Sequence, residues 1–442
     1  MNNKATEGSI AGAMLSFSIP YLISCFLQTF YGMADLFITG QFNGAASISA
    51  VAVGSQLMHM LTVMLVGLAM GTTVSVSRHL GAGDREGIAK DIGCTLTVFT
   101  AVAAGSTAVL LLLTDPILSI LAVPAEAMGE AKRYIVICFA GIPFITAYNV
   151  ISSIFRGLGD TRRPMYFVAI AGVLNIGLDY LLIGPFGMGA RGAALATVIS
   201  QAVSVLLALW SLGRFRSEGM PERVSFCTDQ DTTRSIISIG APIAFQDGLI
   251  QISFLVITAI ANSRGVDVAA AVGIVEKIIS FLFLVPSAML STVSALAAQN
   301  AGAGRHDRSR RVLYYGLSFA VLFGLFIAVL CQFISYPLVS LFVSDSPRVA
   351  ELGMQYLRTY SLDCMFAAGH FCFSGFFSAY KKSGYSFLHN MLSALCVRIP
   401  AAWLASVMFP ATLYAMGLAA PLGSLLSDLI CVILYRRGKW EQ

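Results

Sequence analysis

Charge is what this sequence has least of. Asp, Glu, Lys and Arg make up 12% of its 442 residues, against roughly 25% in soluble domains. A soluble chain of this length cannot cover its surface with so few charges, which excludes an ordinary cytoplasmic enzyme, a disordered scaffold and a nucleic-acid binder. Histidine is scarce too: His59, His79, His306, His370 and His389 are the five, and none forms a metal-ligand spacing such as HExxH. The nine cysteines stand mostly alone inside apolar runs, as Cys25, Cys94, Cys138, Cys331, Cys396 and Cys431 do. With no CxxC pair and no Cys/His cluster, neither a disulfide framework nor a zinc site is expected. The first apolar run, from near Ala11 to about Gly40, is too long for the h-region of a cleavable signal.

What the chain does have is apolar length. Apolar residues are 57% of the total, and many of the 40 glycines and 14 prolines lie within apolar runs, where membrane helices tolerate them. A bilayer core takes about 20 apolar residues per helix. Twelve such runs can be drawn, at roughly 14–40, 47–76, 92–114, 131–155, 165–186, 190–212, 237–262, 268–297, 312–336, 353–379, 386–409 and 415–435. The longest hydrophilic link, 214–236, divides the chain into 1–213 and 237–442.

Lys and Arg alternate between the links. Arg78, Arg85 and Lys90, then Arg156, Arg162 and Arg163, then Arg214, Arg216, Arg223 and Arg234, then Arg305, Arg308, Arg310 and Arg311, then Lys381 and Lys382 fall on one side, with Lys4, Arg436, Arg437 and Lys439 at the termini. The other links hold only Lys132, Arg133, Arg191, Arg264, Arg348 and Arg358. Basic loops stay cytoplasmic, so both termini are expected in the cytoplasm.

The chain also repeats itself. Gly81-Ala82-Gly83 recurs as Gly302-Ala303-Gly304, 221 residues on and at the same place relative to the spans; Pro20 answers to Pro242, and Val53-Gly54 to Val272-Gly273. Two copies of six spans keep the same orientation, and a substrate site at their interface is the usual consequence. Pro20 and Pro242 each remove a helix hydrogen bond and favour a kink, either a moving hinge or a static bend.

Ionisable residues within spans are costly and functional by default. They are Asp35, Asp179, Asp247, Glu276, Lys277, Asp363, Arg398 and Asp428. Arg398 requires a carboxylate or carbonyl partner. His370 and Asp363, seven residues apart on one helix face, could form a proton relay. Asp35 and Asp179 lie in spans of the same direction, each about 7–11 Å below the outer edge by helical rise. Asn175 shares a face with Asp179, and Thr197 in the next span reaches nearly the same depth. Two carboxylates, an amide and a hydroxyl suit a hard monovalent cation or a shared proton; the alternative is separate, individually satisfied side chains.

At these residues the chain resembles the multidrug and toxic compound extrusion (MATE) family, within the flippase-like exporter superfamily. The resemblance rests on Gln28-Thr29-Phe30-Tyr31-Gly32-Met33-Ala34-Asp35, Ser77-Arg78-His79-Leu80-Gly81-Ala82-Gly83-Asp84, Phe155-Arg156-Gly157-Leu158-Gly159-Asp160-Thr161, Leu174-Asn175-Ile176-Gly177-Leu178-Asp179, Met188-Gly189-Ala190-Arg191-Gly192-Ala193-Ala194-Leu195-Ala196-Thr197 and Ala298-Gln299-Asn300-Ala301-Gly302-Ala303-Gly304. It implies an all-α polytopic membrane protein, with twelve spans in a V-shaped pair of pseudo-symmetric six-helix bundles, that exports organic, mostly cationic compounds by Na⁺ or H⁺ antiport. It places the cation site on Asp35, Asn175, Asp179 and Thr197 with a backbone carbonyl near Ala193, and the kinking proline at Pro20. Where another branch carries an acid in span seven, this chain has Ile250-Gln251. Asp247 and Asp363 either face the central cavity and attract cationic cargo or bond a neighbouring helix. Gln28, Met33, Asn149 and Gln246 are candidates for lining the cavity, with helix packing as their alternative.

The expectation is thus a monomeric transporter of the bacterial plasma (inner) membrane. It needs no cofactor beyond the coupling ion Na⁺ or H⁺, is not an enzyme and binds no nucleic acid. Its partners are small organic substrates and the bilayer. A flippase for a lipid-linked precursor or an exporter of a polar metabolite is the rival reading. An intramembrane enzyme would need a convergent nucleophile, base or metal set that the sequence does not offer.

Overall fold

The computed structural model describes residues 6–121, 123–215, 226–343 and 346–440. Lys4, Arg216, Arg223 and part of the 214–236 link lie outside the described residues. Every regular element among the described residues is helical. In chain order the first eight are α1 (Ile10–Phe42), α2 (Ala45–Ala82), α3 (Arg85–Leu112), α4 (Thr114–Ile120), α5 (Ala125–Ala140), α6 (Ile142–Gly157), α7 (Arg162–Ile183) and α8 (Ala190–Phe215). They are followed by α9 (Gln230–Asn262), α10 (Val266–Leu282), α11 (Leu284–Gly302), α12 (His306–Ser340), α13 (Pro347–Tyr360) and α14 (Asp363–Ala379). The last are α15 (Ser383–Ser393), α16 (Ile399–Met408), α17 (Tyr414–Gly417) and α18 (Ala419–Arg437). Among the described residues ten stretches are long and apolar enough to cross a membrane, eleven if the α5–α6 pair, bent by 45°, is one span.

The run expected over 353–379 is the one that does not qualify: it is divided around Ser361–Leu362 into α13 and α14. The α5–α6 break at Gly141 falls 221 residues earlier than Leu362, so the two copies interrupt the same span at the same place. Glycine is required at the first break, because a Cβ at Gly141 would collide with the Val198 side chain on α8. The repeat is equally plain where Gly83 (φ 71°) and Gly304 (φ 70°) both take the left-handed conformation that glycine adopts without a Cβ penalty.

The chain forms two compact units, Ile19–Gly240 and Ala241–Gln442, the second also taking the chain up to Ser18. The two changes of unit within a helix, in α1 and α9, each fall immediately before Pro20 or Pro242. A proline removes the i→i−4 bond there, so bending costs least at those turns. In α1 the Ser24 hydroxyl donates to the Pro20 carbonyl over 2.9 Å.

The core of the first unit is built by α2, α5, α6 and α8 around Val51, Ile135, Phe139, Ile142, Ala193 and Ala194. The small residues on α8 let backbones approach closely, as membrane helices require. Gly71 on α2 and Gly240 on α9 do the same: a Cβ on either would meet backbone carbonyl oxygen, that of Ile236 or Leu68. The second unit packs Val275, Ile279, Tyr356, Tyr360, Leu413 and Met416 together. Between α15 and α16 the chain makes a π-helical turn, Ala394–Arg398. Pro400 follows; its ring cannot donate and crowds the carbonyl four residues back, and the wider turn absorbs the disruption.

Candidate ion site and second polar cluster

Asp35 on α1, Asn175 and Asp179 on α7 and Thr197 on α8 converge inside the first unit. The Asp35 carboxyl lies within reach of the side chains of Asp179, Thr197 and Asn175. The Thr197 hydroxyl is 3.2 Å from Asp35 Oδ2 and 3.0 Å from the Ala193 carbonyl oxygen. Asn175 and Asp179 are four residues apart and so project from one helix face. Asp35, Asn175 and Asp179 are buried, at 4%, 1% and 0% exposure.

The set is incomplete as it stands. Asp35 Oδ1, both Asp179 oxygens and both polar atoms of the Asn175 amide are buried without a hydrogen-bond partner. Ionised carboxylates only accept hydrogen bonds, so Asp35 and Asp179 cannot satisfy each other until a proton or a cation stands between them. Buried orphans of this kind call for an ion or water. The donor set is all oxygen, comprising two carboxylates, an amide, a hydroxyl and a backbone carbonyl. This chemistry fits a hard cation or a proton and not a soft metal. No cluster of three or more His, Cys, Asp or Glu that could hold a metal ion occurs among the described residues.

Three neighbours were not foreseen. Tyr134 on α5 stands within electrostatic reach of Asp35 and Asp179, and Cys138, one turn on, within reach of Asp35. Tyr31, one turn before Asp35 on α1, is near it as well and accepts a hydrogen bond from Gln201 at 3.2 Å. The signal for Tyr134 was Gly54: a Cβ there would collide with the Tyr134 ring, so the duplicated Val-Gly pair makes room for an aromatic in this half.

The remaining candidates are dispersed. Gln28 is half-buried beside Tyr148, and Met33 is exposed. Asn149 is buried and donates to the Ile145 carbonyl over 2.8 Å. Gln246 is buried, with Nε2 3.4 Å from Asp247 Oδ1; Asp247 is half-buried. Pro20 is buried within α1. Asp363 is fully buried and pairs with Arg398, whose Nη2 lies 3.2 Å from Asp363 Oδ2 and 2.6 Å from the Tyr360 hydroxyl.

Around that pair the second unit gathers further polar groups. Glu276 accepts from the Thr258 hydroxyl at 2.9 Å. His389 Nε2 is 3.0 Å from the Ser374 hydroxyl, and its ring meets that of His370 at 5.6 Å between centroids. The Asp428 carboxyl on α18 packs against Gly369, where it fills the place a Cβ would take.

The MatE family profile matches residues 20–181 and 242–404, one stretch in each half. The probable multidrug resistance protein YpnP of Bacillus subtilis is 28% identical over 438 residues, spanning 99% of this chain and 97% of that protein. A FAD transporter of Shewanella oneidensis is 26% identical over 438 residues, spanning 97% and 95%. The crystal structure of MATE in complex with MaL6 superposes with a TM-score of 0.91 at 20% identity, covering 98% of this chain and 97% of that one.

Proposed function

We propose that this chain, which belongs to the MatE family, exports small organic molecules across a bacterial membrane by alternating access, driven by Na⁺ or H⁺ that binds between Asp35 and Asp179. Multidrug efflux is supported by the names of relatives, YpnP matching along 99% of the chain and the multidrug export protein MepA of Staphylococcus haemolyticus along 84%. The observation that carries the coupling site is the group of five orphaned buried polar atoms on Asp35, Asn175 and Asp179, beside a threonine hydroxyl held to both Asp35 and Ala193.

The cycle follows from linkage. A cation couples to cargo only if the two favour different states or compete. With a cation or proton in place, Asp35 and Asp179 draw together, which fixes α1 against α7. With none, the like charges repel. Because α1 passes from one unit to the other at Pro20, a shift of its Asp35 end is taken up at the turn that bends most easily. With both termini in the cytoplasm, as the alternation of basic loops supports, the ion site lies nearer the outer face, and inward cation flow is exchanged for outward cargo. Asp247, Gln246, Asn149, Gln28 and Met33 are the residues this reading assigns to cargo.

The experiment is efflux from proteoliposomes under separately imposed sodium and proton gradients, with a cationic dye and FAD as alternative cargoes. Dye export driven by one gradient and lost in Asp35→Asn and Asp179→Asn supports the reading. Export of FAD with no dye movement would replace cationic drugs with an anionic dinucleotide cargo, as the name of the Shewanella relative suggests for that protein.

A further inference from the structure

The two copies of the Gly-Ala-Gly loop share a backbone but not a charge. After Gly83 come Asp84, Arg85, Glu86, Gly87 and, at the end of the turn, Lys90; after Gly304 the equivalent positions are Arg305, His306, Asp307, Arg308 and Arg311. In the first copy the exposed Asp84 side chain caps α3, accepting from the Gly87 amide over 2.9 Å. In the second, Arg305 cannot accept, and its guanidinium instead donates to the Thr6 carbonyl at 2.5 Å, while Arg308 donates to the Gly8 carbonyl at 2.9 Å. Glu7 approaches Arg305 only to 3.9 Å. Asp307 is claimed by Arg310 at 3.8 Å.

Arg305, Arg308 and Arg311 thus project from one side of the turn, three residues apart, and line a cavity of about 510 Å³ together with Gly304, His306 and Asp307. Arg308 lies within electrostatic reach of Arg305 and Arg311 as well as of the Glu7 carboxylate, and guanidinium matches phosphate in shape and charge.

The surface beyond the cavity says which phosphate. One turn above Arg311 stand exposed Tyr315 and its neighbour Tyr314, at the level where amphipathic rings mark the headgroup boundary. From there exposed Leu322, Phe326, Val329 and Phe333 continue the same face of α12, following the i, i+3, i+4, i+7 spacing of a single helix stripe. A cationic cavity, a tyrosine girdle and an apolar stripe in that order match a headgroup, an ester region and an acyl chain. We propose that the loop of Arg305, Arg308 and Arg311 is a binding site for the headgroup of an anionic phospholipid, whose chain lies along α12. The first copy, with Asp84 and Glu86 in its loop, has no such site. In the orientation set by the basic loops the site faces the cytoplasmic leaflet, where anionic lipids attract nearby basic residues.

The test is native mass spectrometry of the full-length protein in detergent, titrated with dioleoyl phosphatidylglycerol, with dioleoyl phosphatidylcholine and with inorganic phosphate. Wild type is expected to retain one phosphatidylglycerol in preference to phosphatidylcholine, undisplaced by millimolar inorganic phosphate. Arg308→Gln/Arg311→Gln is expected to bind it at least tenfold more weakly, since each basic residue near the surface contributes about fivefold. Arg308→Lys/Arg311→Lys, which keeps the charge and controls for folding, retains most of the binding. Arg85→Gln/Arg162→Gln, which removes the same charge from exposed positions in the other unit, leaves it unchanged. Equal retention of both lipids, equal loss in the Arg85/Arg162 variant, or full displacement by inorganic phosphate would overturn the proposal.

Discussion

Arg398 donates to Asp363 across 3.2 Å within the second unit, with the Tyr360 hydroxyl on the same nitrogen at 2.6 Å. In the first unit Asp35 and Asp179 face one another, and no basic side chain among the described residues figures among their neighbours. Asp363 has a covalently attached counter-charge in Arg398, and the Asp35/Asp179 pair has none among these neighbours. A fixed guanidinium cannot leave, so Asp363 keeps its counter-charge permanently, although its Oδ1 is buried without a hydrogen-bond partner. The Asp35/Asp179 pair can be neutralised only by something mobile. This difference is why the coupling ion is assigned to the first unit.

The Asp363–Arg398 pair therefore predicts an asymmetric response to mutation. Arg398→Gln leaves Asp363 buried and unpaired and should destabilise the protein by roughly 3–5 kcal/mol, the usual cost of breaking a buried pair from one side. Adding Asp363→Asn should recover much of that loss. Thermal unfolding in detergent, followed by a thiol-reactive dye or by aggregation, measures both.

Trp440 predicts a local effect. Its ring stacks on Phe377 at 5.6 Å and on Tyr435 at 5.9 Å, meets Phe376 and Tyr380 edge-on, and lies under the Lys382 ammonium at 4.5 Å. Its Nε1 donates to the Tyr435 carbonyl over 2.7 Å. Trp440→Ala should cost roughly 3–5 kcal/mol of local stability, read as faster protease cleavage after Arg436 and Arg437.

The close approach of α2 and α9 predicts that Gly71→Val and Gly240→Val are poorly tolerated. Either side chain would meet backbone carbonyl oxygen, which cannot rotate away as a flexible side chain can. Yield of monodisperse protein should fall sharply in both, whereas Gly32→Val, with nothing near its Cβ direction, should express normally.

The link before α9 predicts a pH window. Hydrogen bonds from the Thr232 side chain and backbone, with the Lys90 ammonium 3.0 Å away, hold the Asp229 carboxyl down at about 2. A depressed folded value means that the tether is fully present above the ordinary carboxylate pKa of about 3.9 and is lost as pH falls through the folded value. Hydrogen exchange of the amides at 229–233 should be unaltered between pH 8 and pH 5, apart from the intrinsic rate, and Lys90→Gln should loosen it across that whole range.

Much of this arrangement was legible in the sequence, for identifiable reasons. Long apolar runs reveal spans, and equal depth brought Asp35, Asn175, Asp179 and Thr197 to one level before any geometry was known. Depth carries no azimuth, so their convergence on one side required the fold. The need of Arg398 for a partner was evident, but a carboxylate 35 residues away on another helix has no sequence signature. Hydropathy averages over a break, so it drew one run at 353–379 where Ser361–Leu362 separates two helices. Trp440 sits in a polar tail, Arg436-Arg437-Gly438-Lys439-Trp440, with no periodicity to mark its docking.

The central claim is tested most directly by ²²Na⁺ binding to the purified protein, measured by scintillation proximity at low and high pH in wild type, Asp35→Asn, Asp179→Asn and Asp363→Asn. The account predicts one saturable ion, displaced by protons or by excess unlabelled sodium, absent in both first-unit variants and retained in Asp363→Asn. If sodium proves not to bind, the proton alternative requires cargo binding at neutral pH to release one proton in wild type and none in Asp35→Asn or Asp179→Asn. Undiminished sodium binding in both first-unit variants, or proton release that they leave unchanged, would contradict it.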